Sequence, residues 1–254
     1  MKLQLKFLIG SMLFPFFIWN NEPKAQPAPT PLTPEQKKAV ENIITDYIKT
    51  NPDVIMKAIE TFHKRTRNQK TEQRETFLKA YIREQLSDGT YPQAGNPRGD
   101  VTIIEFFDYR CGYCKQVFRW LPALLKEDTN LRFIFIELPI LSLESELMSR
   151  AAMLVWKYEK QKYFQFHSAL MQSRGNLTKQ DLLQIAANNG IDSTRISNNF
   201  DSSEISKILK QNRDLAQHLG VRGTPAFVVG QKVIPGAIDL KTMKSLIAKK
   251  RKKG

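Results

Sequence analysis

The chain has 254 residues, room for one to two domains. Its 39 Lys and Arg against 25 Asp and Glu give a net charge of +14. The excess is scattered and densest at Lys249–Lys253, so it reads as a solvated tail and not as a nucleic-acid surface, with attraction to anionic lipid or polysaccharide as the alternative.

Lys2 and Lys6 precede a mostly apolar run from Phe7 to Trp19, interrupted by Pro15. This is the pattern of a signal peptide, expected over 1–25, and the run is short for a span of about 20 residues. Ala25 and Ala28 are both usable cleavage positions; an uncleaved anchor is the other reading. A proline-rich tether is expected over 26–33.

Thr33-Pro34-Glu35-Gln36 is a helix start, with Thr33 as N-cap, Pro34 at the first helical position and Gln36 closing a capping box. Val40, Ile43, Ile44, Tyr47 and Ile48 form one apolar stripe. Asn51-Pro52 interrupts it, with Asn51 placed to cap a second helix carrying Val54, Ile55, Ala58, Ile59 and Phe62. Two such helices need the main domain or a second copy to bury their stripes. Residues 34–62 are therefore expected to make a homo-oligomer, most simply a homodimer, with the polar stretch to Thr76 included in the oligomerising segment. From His63 to Thr76 no apolar residue appears, and 63–91 is expected to be a charged helical linker. Gly89, Pro92, Gly95, Pro97 and Gly99 make 87–100 a turn-rich boundary.

Residues 92–254 then alternate strand and helix. Val101–Phe107 reads as a buried strand, Leu131–Pro139 as a second, and Pro225–Val229 with Lys232–Ile234 as a hairpin about Gly230-Gln231. Helices are expected after Cys111, over Glu144–Gln161, Tyr163–Gln172 and Ser202–His218, after Thr178, and from Asp239. The order is that of a thioredoxin-like α/β domain with a helical insertion over about 142–222.

Both cysteines of the chain lie in Cys111-Gly112-Tyr113-Cys114, at a strand-to-helix junction. The first is expected over a helix N-terminus, where free N–H groups and the dipole favour a thiolate. Cys111 should then be the exposed attacking thiol and Cys114, one turn in, the resolving one. Gly112 and Tyr113 would tune the thiolate through backbone N–H groups and packing. Half of a zinc site, or two inert buried thiols, are the alternatives; zinc ordinarily takes four ligands, and His63, His167 and His218 lie at no paired spacing. His167 sits among aromatics and reads as a core or hydrogen-bonding residue, His63 and His218 as helix-surface residues, and Trp120 and Trp156 as core.

Glu105-Phe-Phe-Asp-Tyr-Arg-Cys-Gly-Tyr-Cys-Lys115 and Gly223-Thr-Pro-Ala-Phe227 together resemble the DsbA-like thiol-disulfide oxidoreductases. Asn51-Pro52-Asp53-Val54-Ile55, Gly95-Asn96-Pro97 and Phe164-Gln-Phe-His167 extend the resemblance over nearly the whole chain beyond the signal. They are similar to a branch with an N-terminal helical extension, which includes outer-membrane-associated proteins and oligomeric disulfide enzymes of the DsbC and ScsC type. The resemblance implies a catalytic Cys111–Cys114 pair with no other cofactor and no metal, Glu105 as a buried acid that would shuttle the proton of Cys114, with a satisfied core acid as the alternative, and Thr224-Pro225 as a cis-proline loop that pairs with substrate. It also implies exported client proteins, a membrane redox partner for the dithiol, and a location in the periplasm or at the outer membrane. The Gly-Tyr dipeptide departs from the Pro-His of the strongest oxidants and is the one associated with DsbC-type isomerases. A dithiol kept reduced for isomerisation or reduction, and a metal-sequestering or structural envelope protein, stand as alternative functions.

Overall fold

The computed structural model describes residues 31–84, 86 and 89–252. The expected signal segment and residues 26–30 of the tether lie outside these. The described residues divide into two units, one ending at Thr61 and the other beginning at Phe62.

In the first unit, α1 runs Pro34–Thr50. Its start is as the sequence specifies: Thr33 Oγ1 accepts the Gln36 N–H at 3.3 Å, and Gln36 Oε1 accepts the Thr33 N–H at 3.0 Å. Asn51 behaves otherwise than expected. Its side-chain amide donates to the Tyr47 carbonyl at 3.0 Å, so it closes α1 instead of opening the next helix, because a free carbonyl there needs a donor. None of α1 is buried; Ile43, Ile44 and Tyr47 remain 68%, 52% and 56% exposed. The next helix, α2, is a single span Asp53–Glu84, and Val54, Ile55 and Ile59 at its start are exposed as well.

The second unit begins inside α2. The polar stretch 63–76 is helical, as expected, but the linker ends earlier than the sequence suggested. Leu78, Leu86 and Tyr91 are buried, with Phe77, Tyr81 and Ile82 packed beside them, so the last turns of α2 belong to the core. The turn-rich boundary also contains a short strand, β1 at Gln93–Gly95. Gly95 is required there: its φ is +78°, and a side chain would meet the Leu131 carbonyl oxygen.

The sheet has the order β1-β3-β2-β4-β5, with β2 Val101–Phe107, β3 Leu131–Glu137, β4 Ala226–Val229 and β5 Lys232–Pro235. β2 and β3 are parallel and the other pairs antiparallel. Both faces are covered, which is why β2 and β3 read as near-continuous apolar runs. Ile103, Phe107, Phe133, Phe135 and Phe227 enter one core; Ile104, Phe106, Ile134, Ile136 and Val228 enter the other, with Leu78 and Leu215.

Between β2 and β3 the helix after the cysteines is broken: α3 is Gly112–Phe118 and α4 is Leu121–Glu127. Trp120 sits at the break, half-buried, not on a continuous helix as expected. The insertion comprises α5 Leu143–Tyr158, α6 Tyr163–Gln172, α7 Lys179–Asn188, α8 Ser193–Asn198 and α9 Ser203–Leu219; α8 was not foreseen, being six residues with one buried apolar side chain, Ile196. Trp156 is core, its indole N–H shared by the Gly89 and Thr90 carbonyls. α10, Leu240–Arg251, starts from an Asp239 cap.

Leu78 gives the test of where this unit begins. Leu78→Ala should lower unfolding stability by about 2–5 kcal/mol in chemical denaturation, the usual cost of emptying a buried leucine site. A loss below about 0.5 kcal/mol, the range of surface changes, would show that α2 past residue 76 is only a linker.

Candidate active site

The site is built where β2 ends. Asp108–Arg110 turn the chain out of the sheet, and Cys111 becomes the N-cap of α3, with extended φ/ψ of −73° and 113°. Its sulfur takes the cap's place as acceptor: Sγ receives the Cys114 N–H at 3.3 Å. The Cys111 thiol lies 3.2 Å from the Thr224 carbonyl oxygen, to which it donates. The Thr224–Pro225 bond is cis, as expected, and precedes β4 directly. Two segments more than a hundred residues apart thus meet at one sulfur.

The turn itself is held by Asp108. Its fully buried carboxylate accepts N–H groups from Arg110 at 2.7 Å, Ile140 at 2.9 Å and Leu141 at 3.1 Å, while its carbonyl accepts from Cys111 N–H at 3.1 Å. Asp108 was not singled out from sequence; an acid two residues before the turn's end, preferring a local backbone bond, was the available signal.

The two thiols are unlike. Cys111 is pulled down to about 6, first by the hydrogen bond from the Cys114 thiol, with help from the Thr224 side chain and the N–H groups of Cys114 and Tyr113, while burial opposes. Cys114 is pushed far up, first by burial, then by its bond to Cys111 and by the charge of Glu105. The arrangement therefore favours one thiolate, on Cys111, within the range of roughly 3.5–7.5 found for reactive cysteines. Cys111 is less open than expected: 6% of its surface is accessible, against none for Cys114. Gly112 and Tyr113 face solvent, Tyr113 at 66% exposure, with open space where a Gly112 side chain would go.

Glu105 is buried on β2, and its Oε1 has no hydrogen-bond partner. Burial, and then the negative charge on Cys111, push its carboxyl up to about 8. It can hold or release a proton near neutral pH, next to a thiol that must lose one.

Behind the turn lies a network that sequence reading missed except for His167. The Tyr109 hydroxyl donates to Glu137 Oε1 at 3.2 Å and stands 2.9 Å from His167 Nδ1. Ser149 donates to Glu137 Oε2 at 2.7 Å, and Tyr163 to Oε1 at 3.4 Å. His167 is buried among Phe107, Phe118 and Phe135 and lowered to about 3 by burial, so it is neutral. With Nδ1–H given to Tyr109, Nε2 is a bare acceptor, and no group meets it. Glu137 is raised by burial. An acid closing the apolar run Phe133–Ile136, opposite Phe107 in register, was the one signal for it. His63 is exposed, as expected, and the exposed His218 lies tilted against Phe77, with ring centroids 4.0 Å apart. Among the described residues no group of three or more His, Cys, Asp or Glu side chains is placed to hold a metal ion.

Glu105 and Cys111 pull stability in opposite directions with pH. Raised from 4.5 to about 8, Glu105 contributes stability present below pH 4.5 and lost as pH rises to 8; Cys111, lowered from 9.0 to about 6, contributes stability above 9 that is lost as pH falls to 6. Replacing Glu105 isolates the first effect. The stability of Glu105→Gln relative to the unsubstituted protein should climb between pH 4.5 and 8 by up to about 1.4 kcal/mol per pH unit. A flat difference across that window in denaturant titrations would show that Glu105 ionises normally.

A family model described as the DSBA-like thioredoxin domain matches residues 102–248, and one described as the copper resistance protein ScsC N-terminal domain matches 36–69. The disulfide bond formation protein D of Bacillus subtilis is 25% identical over 173 residues, 63% of this chain and 77% of that protein. A solved thioredoxin-like oxidoreductase from Silicibacter pomeroyi is 35% identical with a TM-score of 0.62, covering 66% of this chain and 98% of its own. Proteus mirabilis ScsC in a transitional conformation is 25% identical with a TM-score of 0.64, covering 88% and 100%. The chain belongs to the DsbA-like thioredoxin family of thiol-disulfide oxidoreductases, with an N-terminal helical extension.

Proposed function

We propose that the protein is an exported enzyme that forms and isomerises disulfides in other exported proteins through the Cys111–Cys114 pair, without a further cofactor. The carrying observation is the asymmetry of the two thiols: one is held near pH 6 with several donors on its sulfur, the other is kept protonated by burial.

In oxidation, a client thiolate attacks Cys111 Sγ of the pair's disulfide. The Cys111–Cys114 bond breaks and Cys114 leaves, taking a proton for which Glu105 is the nearby source. A second client thiolate then attacks the client sulfur of the mixed disulfide and expels Cys111 as a thiolate, a stable leaving group at its low pKa. The client has lost two electrons and the pair has gained them; a membrane redox partner takes them on. In isomerisation the reduced Cys111 thiolate attacks a client disulfide and releases one client thiolate; a different client thiolate then attacks the client sulfur of the mixed disulfide, forming the new pairing and expelling Cys111 as a thiolate. Thr224 and Pro225 line the point of attack, where the Thr224 carbonyl reaches Cys111 and is placed to pair with an extended client backbone. Gly112 and Tyr113 tune the Cys111 thiolate, the Tyr113 N–H being one of the donors that lower it. The working location is an oxidising compartment, the periplasm, where such a pair can turn over.

A second copy of the chain is the proposed cover for the apolar stripes of α1 and the start of α2. Each side chain moved from water contributes roughly 1.5–3 kcal/mol, enough in sum to offset association costs. A homo-oligomer, most simply a homodimer, holds several dithiols around one client, which suits isomerisation.

Cys114→Ala should accumulate mixed disulfides with client proteins on non-reducing gels, and Cys111→Ala should accumulate none. Trapping by Cys111→Ala alone would reverse the assigned roles. For the oligomer, Ile43→Glu with Tyr47→Glu should give a monomer by light scattering at concentrations on the order of tens of micromolar, with dithiol oxidation kept and isomerisation lost. A monomeric unsubstituted chain under the same conditions would remove the oligomer and the isomerase argument together.

A further inference from the structure

A groove of about 500 Å³ runs beside α3, one residue past Cys114, between that helix and the end of α6. Its floor is apolar: Phe118 and Met171 are buried, with Pro122 at the edge. Its walls are cationic, carrying Lys115, Arg119 and Arg174, and no acidic side chain lines it. Lys115 is one helical turn from Cys111, ~6 Å along the axis.

Neighbouring cations show what a paired side chain looks like here. Arg110 meets Glu144 at 3.1 Å and donates to the Gly175 carbonyl at 2.6 Å, and Lys115 donates to the Ser173 carbonyl at 2.6 Å. Together they fix residues 173–175 as one wall. Arg119 and Arg174 are exposed and make no side-chain hydrogen bond or ion pair with any described residue. Lys115 and Arg119 are four residues apart, a spacing at which like charges repel. Burial and the charge of Arg110 already lower Lys115. The fold thus gathers positive charge over an apolar floor and leaves it unbalanced, next to the reacting sulfur.

We propose that this groove seats an acidic, extended stretch of the polypeptide whose thiols or disulfide react at Cys111, with carboxylates against Arg119 and Arg174 and an apolar side chain on Phe118 and Met171. The inference rests on the redox reading above and specifies which substrates that site prefers. Charge complementarity is the argument for this occupant: unpaired guanidinium groups bind carboxylates in forked pairs, and a cleft of one sign accelerates encounter with the opposite sign. A basic segment would meet only repulsion there.

The test uses the full chain and three dithiol peptides, identical around their cysteines and differing in a flanking run of Glu, Gln or Lys. Single-turnover exchange with the Cys111–Cys114 pair should be fastest for Glu and slowest for Lys, by about tenfold or more at low ionic strength. The ratio should fall toward one at ~0.5 M salt. Arg119→Glu with Arg174→Glu should invert the order, and Arg119→Gln with Arg174→Gln, the milder pair if reversal disturbs folding, should flatten it. Lys64→Glu with Lys70→Glu changes net charge equally but far along the sequence from the groove, and should keep the preference. If that remote pair flattens it as much, overall charge and not the groove steers the peptides, and the proposal is wrong. Equal rates for all three peptides overturn docking alone, while no exchange with any of them removes the redox reading and this inference with it.

Discussion

One sulfur at one helix end is the constraint from which the rest follows. A thiolate almost wholly hidden from water is costly, and Cys111 reaches about 6 only because the Cys114 thiol and N–H, the Tyr113 N–H and the Thr224 side chain converge on it against burial. These donors have to be delivered by two pieces of structure. The helical donors require that α3 start at Gly112, and Thr224 must be brought from the far end of the insertion. β2 and β4 supply the second condition, since their antiparallel pairing fixes the loop before Ala226 beside the turn after Phe107. The sheet is a device for holding two loops at hydrogen-bond distance, and its two apolar cores are what keep it rigid enough to do so.

Much of this was legible in the residues because the signals were local. β2 and β3 are seven-residue runs of β-formers closed by turn residues, and they appear where expected. The Thr33, Thr178 and Asp239 caps each sit where a short acceptor precedes a helical pattern. The reading failed where tertiary packing decided. Leu78 is one apolar residue near the end of a charged helix, and only the second face of the sheet makes it core. β1 is three residues, too short to show a period, and exists because β3 offers it an edge. The break at Arg119–Trp120 has no glycine, and Pro122 lies past it, so nothing before the structure marked that point.

The site was legible in a different way. Cys111, Cys114 and the Thr224–Pro225 loop announce themselves as residue types whose spacing has a chemical meaning. The Asp108 anchor and the Tyr109–Glu137–His167 network do not, because their members come from the turn, β3 and α6 and become a unit only when β2 and β3 align. Resemblance to a family marked Phe164-Gln-Phe-His167, and the aromatic neighbours marked His167 as a core or hydrogen-bonding residue, without its partner. The structure supplies one: a neutral imidazole, surrounded by aromatic rings, holds the tyrosine two residues from the first cysteine.

Three carboxyl groups lie buried around the ends of β2 and β3, and the fold treats them differently. Asp108 accepts three backbone N–H groups. Glu137 accepts three hydroxyls, from Tyr109, Ser149 and Tyr163. Glu105 alone keeps an oxygen with no partner. A buried polar atom left so costs about 1–3 kcal/mol, and the same sheet shows that partners can be built at either neighbouring position. A structural acid would have been satisfied or replaced by an apolar residue at little loss. The unsatisfied one is also the one coupled to the dithiol: its charge raises Cys114, and the charge of Cys111 raises it. Hydrogen bonds to Glu105 would pull its carboxyl back toward 4.5 and end its ability to trade a proton near pH 8. In the chemistry proposed for the site, an acid raised toward 8 serves as the proton source for Cys114, while Asp108 and Glu137, each with three hydrogen bonds, hold the turn and the strand end in place.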